Sequence, residues 1–130
     1  MSDRTAYALL VVRSLWELVR YDVVNLGSGF KRIQRQVARL PIASRTVETT
    51  TEARICDAVS LAACFYCKPV LCLQRSVVAA RLLRKYGVNG RLVIGYRPSP
   101  FFSHAWVEVD GRVVNDSPAY KERLHVLCTF

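Results

Sequence analysis

Apolar residues recur at helical spacing through the first part of the chain. In residues 4–24 they fall every three or four positions with charged side chains between them, which predicts a long amphipathic helix. Residues 30–40 repeat this pattern with basic residues off the apolar stripe, and Pro41 ends it. The chain therefore opens with two predicted helices.

Two more helices are predicted between Thr46 and Gly87. The third begins near Thr46, where hydroxyl and acidic residues precede an apolar stripe, and the break at Lys68-Pro69 limits it. The fourth, residues 71–86, has the clearest helical periodicity, with Gly87 as a left-handed terminator. The pattern up to Gly87 is thus mainly helical.

After Gly87 the pattern becomes that of strands. Residues 91–96 are rich in β-branched side chains, and residues 103–109 and 112–116 flank Asp110-Gly111, a strong hairpin signal. Helices followed by strands that pair antiparallel predict an α+β fold with an antiparallel sheet.

Two registers are open for this hairpin. A three-residue loop over residues 109–111 would place His104 directly opposite Asp116 and Glu108 opposite Arg112. The second of these pairs joins opposite charges, which stabilises neighbouring strands. We therefore favour this register, in which the carboxylate of Asp116 can orient the imidazole of His104.

A two-residue loop of Asp110-Gly111 is the alternative register. Because side chains alternate along a strand, a shift of one residue would turn Asp116 to the face away from His104 and bring Asn115 to the histidine face. Either register supplies the imidazole with an orienting partner. Asp116 is the favoured one, because a carboxylate also stabilises the imidazolium that forms during catalysis.

Length and composition indicate one globular domain. The chain has 130 residues, of which 52% are hydrophobic, and a chain of this size can bury a core without disulfides. Charged residues interrupt the most apolar segment, residues 6–24, which argues against a membrane span. The N-terminus also lacks the order of regions typical of a signal peptide, so we expect a cytoplasmic protein without a membrane partner.

The formal net charge of +9 raises the question of a nucleic-acid partner. A nucleic-acid interface usually surrounds a reading helix or a stacking platform with basic residues. Here the basic residues are scattered and the aromatic residues cluster beside His104, so we expect no nucleic-acid partner. A basic nucleic-acid-binding domain acting through residues 30–40 is the less favoured alternative.

The five cysteines do not indicate a disulfide framework, because their number is odd and no export signal precedes them. Cys64 and Cys67 form a CxxC motif, but a zinc site usually needs four ligands and a redox CxxC needs a thioredoxin-like context. We therefore expect no metal and no cofactor, with Cys56, Cys64 and Cys67 as small core residues. Cys128 is expected in the tail, and His125 at the surface.

Cys72 and His104 are the candidates for nucleophilic chemistry. Cys72 falls in the first turn of the fourth predicted helix, where the helix dipole and free backbone N–H groups favour a thiolate. His104 begins a predicted strand among aromatic residues and could act as a general base. Phe101, Phe102 and Trp106 border it and are candidates for substrate contact; otherwise the substrate-binding residues are not identifiable.

Besides the position of Cys72, the motifs around the candidate residues resemble those of a known family. Residues 55–120 resemble the lasso-peptide leader peptidases, which are similar to the C-terminal domain of the microcin-processing protein and belong to the transglutaminase-like, papain-type superfamily. The matching motifs are Cys72-Leu73-Gln74-Arg75-Ser76, Gly87, Val93-Ile94-Gly95, His104-Ala105-Trp106-Val107-Glu108, Asp110-Gly111 and Asn115-Asp116. The resemblance implies that Cys72 is the nucleophile, His104 the general base and Asp116 its orienter.

The resemblance also implies a substrate and partners. The enzyme would cut a ribosomally made precursor peptide between leader and core, and a macrolactam synthetase would then cyclise the core. Residues 1–45 are expected to form a helical extension packed on a peptidase domain of residues 46–130, with no room for the fused winged-helix domain of some family members. A separate leader-recognition protein of winged-helix type is therefore expected. A catalytically idle peptide-docking module of the same fold is the alternative.

Overall fold

The computed structural model describes residues 3–27, 35, 37 and 49–130. The long helices in these residues are α1, Asp3–Gly27; α2, Thr49–Phe65; and α3, Cys72–Lys85. They correspond to the first, third and fourth predicted helices. Of the second predicted helix, the structure describes only Arg35 and Val37, both helical, and the predicted domain boundary at residue 45 lies outside the described residues.

The remaining elements form one antiparallel sheet and a short helix. They are β1, Arg91–Pro98; β2, Phe101–Val109; β3, Arg112–Val113; α4, Ala119–Arg123; and β4, His125–Thr129. The strand order is β3-β2-β1-β4, and the pairs are antiparallel. This architecture confirms the predicted α+β class. The last predicted strand is shorter than expected, and the short elements α4 and β4 were not predicted.

α3 lies at the centre of the molecule. It contacts α1 and α2 on one side and β2 on the other, and ten of its 14 residues are buried. Four consecutive side chains, Val77 to Ala80, can be buried on several faces of this helix because helices and sheet surround it. The first residue of α3, Cys72, is therefore held by the most buried helix of the described part of the chain.

The two faces of β2 have different neighbours. Ala105, Val107 and Val109 belong to the core cluster under the helices, while Trp106, two residues after His104, belongs to a second cluster with Leu124. This alternation follows from the period of two along a strand. Trp106 thus lies on the sheet face that is turned away from α3, whereas His104 borders a cavity together with Cys72, the first residue of α3.

A close approach between Gly95 and Trp106 shapes this second face. Gly95 on β1 pairs with His104 on β2, and the indole of Trp106 lies across Gly95. A Cβ atom at Gly95 would be 2.6 Å from Trp106 Cη2 and 3.0 Å from Leu124 Cβ. Since real contacts are longer, the position opposite His104 requires the absence of a side chain.

A buried ion network joins α1 to α3. The carboxylate of Glu17 is 2% exposed and accepts hydrogen bonds from Arg81 Nε at 2.9 Å and Lys85 Nζ at 2.5 Å. Burial by itself would raise the pKa of Glu17, but the bonds from Lys85 and Arg81 outweigh it and hold the pKa below its usual 4.5. The negative charge of Glu17 between α1 and α3 is thus balanced by the cations of Arg81 and Lys85.

The solvent face of α1 is also apolar, with Val12, Trp16 and Val23 more than half exposed. Its inner face carries Leu10 and Leu18, which are buried. In spite of these two apolar faces, no helix in the described ranges combines the length and the apolarity needed to cross a bilayer.

Candidate functional site

The start of α3 places Cys72 beside the histidine strand. Leu71, the residue before the helix, is extended and provides no side-chain cap for the first-turn N–H groups. Ser76 Oγ donates to the carbonyl of Ala105 at 3.1 Å, and Cys72 precedes Ser76 by about one turn, roughly 5.4 Å along the axis. Cys72 is thereby brought to the end of β2 that carries His104.

Cys72 and His104 line one open cavity of about 190 Å³. The other lining residues are Leu73, Ile94, Ser103 and Ala105. Cys72 is half-buried, and its thiol forms no disulfide. The walls from Leu73, Ile94 and Ala105 are apolar, so a peptide bond entering this cavity would be partly shielded from water.

The imidazole of His104 is paired with the carboxylate of Asp116. His104 Nε2 lies 2.7 Å from Asp116 Oδ2, and both side chains are mostly buried. Because an ionised carboxylate accepts hydrogen bonds and cannot donate them, Nε2 carries the hydrogen of this bond. Nδ1 is then the nitrogen left to exchange a proton with another group.

The hairpin register that we favoured from the sequence is wrong. Val109 pairs with Arg112, so the turn consists of two residues, Asp110 and Gly111, with φ of 51° and 78°. Two successive positive φ angles give a turn whose twist matches that of the strands. This preference outweighs the expected contact of Glu108 with Arg112, since such a charge pair contributes about 0.2–1 kcal/mol.

Asp116 reaches His104 in this register because β3 is only two residues long. Beyond it, the N–H of Val114 still donates to the carbonyl of Val107 at 3.0 Å, and then the Asn115 side chain replaces the ladder. Its Oδ1 accepts the N–H of Val107 at 2.8 Å, and its Nδ2 donates to Ser76 Oγ at 3.1 Å. The chain leaves the sheet at this point, so the alternation of side chains no longer decides the direction of Asp116. The predicted pairing with His104 is present, but for a different reason.

Aromatic rings surround the imidazole. Tyr120 on α4 is stacked on His104 with ring centroids 3.9 Å apart, a contact that the sequence analysis missed. The one sequence feature that indicates the helix carrying Tyr120 is Pro118, shortly after Asp116, because proline is typical of a helix start. Trp106 is fully buried and cannot contact a substrate, whereas Phe101 is 75% exposed.

Comparisons with known proteins identify the family of the chain. The model of the transglutaminase-like superfamily matches residues 16–129. The chain belongs to the transglutaminase-like superfamily. It is also 45% identical over 56 residues, 43% of the chain, to the microcin J25-processing protein McjB of Escherichia coli. The resemblance stated from the motifs is thereby confirmed.

The match to that relative is partial, since the chain covers 27% of the length of McjB. No solved structure matches the chain. The transglutaminase-like fold is therefore shown by the family model and by the architecture of helices and antiparallel sheet.

In this transglutaminase-like chain, α1 contributes a group near the cysteine that the sequence did not indicate. Burial raises the pKa of the Tyr21 hydroxyl, and the negative charges of Asp22 and Cys72 raise it further. Gln74 Nε2 donates to the carbonyl of Leu18 at 3.2 Å, which ties the first turn of α3 to α1.

Three of the other four cysteines are placed differently from the prediction. Cys56 is buried as expected, and burial raises its pKa to about 12. Cys64 and Cys67 are exposed, not core residues, because they lie at the end of α2 and in the turn after it. Cys128 is half-buried in β4, where burial raises its pKa.

His125 is exposed in the same strand β4. Its predicted place at the surface is confirmed, although the strand that carries it was not predicted. Across the described residues, no three His, Cys, Asp or Glu side chains are grouped so that they could hold a metal ion.

Proposed function

We propose that the protein is a cysteine peptidase that removes the leader from a lasso-peptide precursor. The observation that carries the proposal is the hydrogen bond of His104 Nε2 with Asp116 at 2.7 Å, beside a cavity that Cys72 and His104 line together. The similarity to a microcin-processing protein supports a ribosomally made peptide as the substrate class.

The proposed chemistry follows from the two nitrogens of the imidazole. With Nε2–H directed at Asp116, Nδ1 is the base that takes the proton of Cys72. The thiolate, favoured by the N-terminal position of Cys72 on α3, attacks the carbonyl carbon of the scissile bond. Asp116 keeps the ring oriented and stabilises the imidazolium that forms.

The later steps return the enzyme to its starting state. The backbone N–H of Cys72 is a donor for the oxyanion of the tetrahedral intermediate. His104 gives its proton to the departing amine of the core peptide, which leaves a thioester between Cys72 and the leader. Water, deprotonated by His104, then hydrolyses the thioester and releases the leader as a carboxylate.

The proposal includes a division of labour among proteins inside the cell. A separate leader-recognition protein of winged-helix type binds the leader, as the resemblance implies, and this chain cleaves the peptide bond between leader and core. The new amino terminus of the core then becomes the nucleophile that a macrolactam synthetase joins to a side-chain carboxylate.

The decisive experiment is to incubate the purified protein and its recognition partner with the precursor and to measure product masses. We expect the wild type to release leader and core, and the variant Cys72→Ala to release neither. Cys64→Ala is the matched control, because Cys64 is exposed at the end of α2, and it should cleave as the wild type does. Equal cleavage by Cys72→Ala would contradict the proposal, and a wild type that binds but never cleaves would indicate a docking module.

A further inference from the structure

Asp116 has a second partner besides His104. Arg75 Nη2 lies 3.2 Å from the same oxygen, Oδ2, that binds the imidazole. Oδ1 accepts the N–H of Ser117 at 2.8 Å. Three donors from three different segments therefore fix both the position and the rotation of this carboxylate.

Arg75 belongs to the helix that begins with Cys72, less than one turn further on. The next residue of this helix, Ser76, accepts from Asn115. Two consecutive residues of α3 thus hold two consecutive residues of the segment after β3. Because that segment has left the sheet, these contacts with α3 take over the placement of Asp116 that strand pairing would otherwise provide.

The contacts of Arg75 are concentrated on Asp116. Asp116 is its one ion-pair partner among the described residues, and the buried Nε of Arg75 has no hydrogen-bond partner there. The guanidinium is therefore held mainly by the carboxylate that orients His104.

We propose that Arg75 is a positioning residue that holds Asp116 against His104. Arg75 does not line the cavity shared by Cys72 and His104, and it acts through the carboxylate alone. α3 then positions two groups of the proposed site. Its first residue, Cys72, is the nucleophile, and its fourth residue, Arg75, holds the acid that orients His104. This inference rests on the proposed peptidase function and names a further residue for it.

Cleavage kinetics of Arg75→Gln and Arg75→Lys test the inference. For Arg75→Gln we expect kcat to fall between about 10- and 100-fold, as small misplacements of catalytic groups do, with KM unchanged because Arg75 does not contact the peptide. Arg75→Lys, which keeps a cation in reach of Asp116, should recover most of the loss. Arg91→Gln, at the exposed start of β1, is the matched control and should leave kcat unchanged.

A double variant separates positioning from a general effect on the fold. In the background of Asp116→Asn, the change Arg75→Gln should cause no further loss, because the residue through which it acts is already altered. Additive losses would overturn the inference, as would wild-type kcat in Arg75→Gln.

A measurement without substrate keeps this inference distinct from the proposed function. In protein labelled with ¹⁵N-histidine, the Nε2 resonance of His104 should shift in Arg75→Gln and in Asp116→Asn, and not in Arg91→Gln. If the wild type cleaves no precursor but this shift is seen, the peptidase proposal fails and the positioning contact stands. An unchanged resonance in Arg75→Gln overturns the inference whatever the activity.

Discussion

Asp116 lies 2.7 Å from His104, although the register of their hairpin would turn a regular strand residue at this position to the opposite face. The contact depends on the early end of β3 and on side chains of α3 that draw the following segment towards the helix. The acid of the proposed triad is therefore placed by contacts between helix and loop, not by strand pairing.

Replacement of Asp116 by Asn tests whether its charge is needed. Asn keeps the shape but loses the negative charge that stabilises the imidazolium, and it can present an N–H to Nε2 in place of an acceptor. We expect kcat for precursor cleavage to fall by about 10²- to 10⁴-fold. Asp110→Asn in the exposed turn is the control, since Asn tolerates the positive φ of that position, and it should keep full activity.

Tyr120 is expected to matter through its ring. Stacked aromatic pairs contribute roughly 0.5–1.5 kcal/mol, so the loss of the ring from His104 in Tyr120→Leu should lower kcat by roughly 2- to 12-fold. Tyr120→Phe keeps the ring that lies 3.9 Å from the imidazole and should keep activity. Equal losses in both variants would show that the hydroxyl, not the stacked ring, is the important group.

The reactivities of the cysteines should not follow their exposure. Because a thiolate is the reactive form, iodoacetamide at pH 6 should label Cys72 at least about tenfold faster than Cys64, which is more exposed. Cys56 should react slowest, since burial raises its pKa to about 12. Peptide mass mapping over time measures these rates, and labelling of Cys72 no faster than Cys64 would argue against activation by His104.

The helices and the class of fold could be predicted because they depend on local patterns. α1 and α3 show apolar spacing over several turns, and Pro69 and Gly87 mark the limits of α3. The position of Cys72 at the start of a helix follows directly from this pattern. A helix start is a local property, so the nucleophile was the easiest residue of the proposed site to locate.

The remaining features depend on turn geometry and on elements too short to show a periodic pattern. The hairpin register is set by two positive φ angles in the turn, whereas the sequence analysis weighted the charge pair of Glu108 and Arg112. The elements α4 and β4 have five residues each, too few for a periodic pattern to be recognised. Tyr120 lies on one of them, which is why its contact with His104 could not be predicted.

Substitution of Gly95 should destabilise the fold through Trp106. A Cβ atom would lie 2.6 Å from Cη2 of the indole, so Gly95→Ala should lower the free energy of unfolding by about 1–3 kcal/mol in urea titrations. In the background of Trp106→Phe, which lacks Cη2, the same change should cost less. An equal loss of unfolding free energy in both backgrounds would show that the strain does not come from the contact with Trp106.

The pH dependence of stability should reveal the buried network of Glu17. Its pKa in the folded state lies below the usual 4.5, so the folded state binds a proton at this group less readily than the unfolded chain does. The stabilisation is therefore complete above about pH 4.5 and is lost as the pH falls through the folded pKa. Glu17→Gln, which leaves Arg81 and Lys85 facing a neutral group, should cost about 3 kcal/mol near neutral pH.

The measurement that checks this is urea unfolding of both proteins from pH 7 to pH 3. The difference in unfolding free energy between wild type and Glu17→Gln should begin to shrink near pH 4.5, where the unfolded chain binds a proton at this group. It should be lost once the pH has fallen through the lower folded pKa, where the native carboxylate is also protonated. Glu122→Gln, on the exposed face of α4, should match the wild type at every pH. A difference that stays constant across the range would mean that Glu17 contributes by its shape and not by its charge.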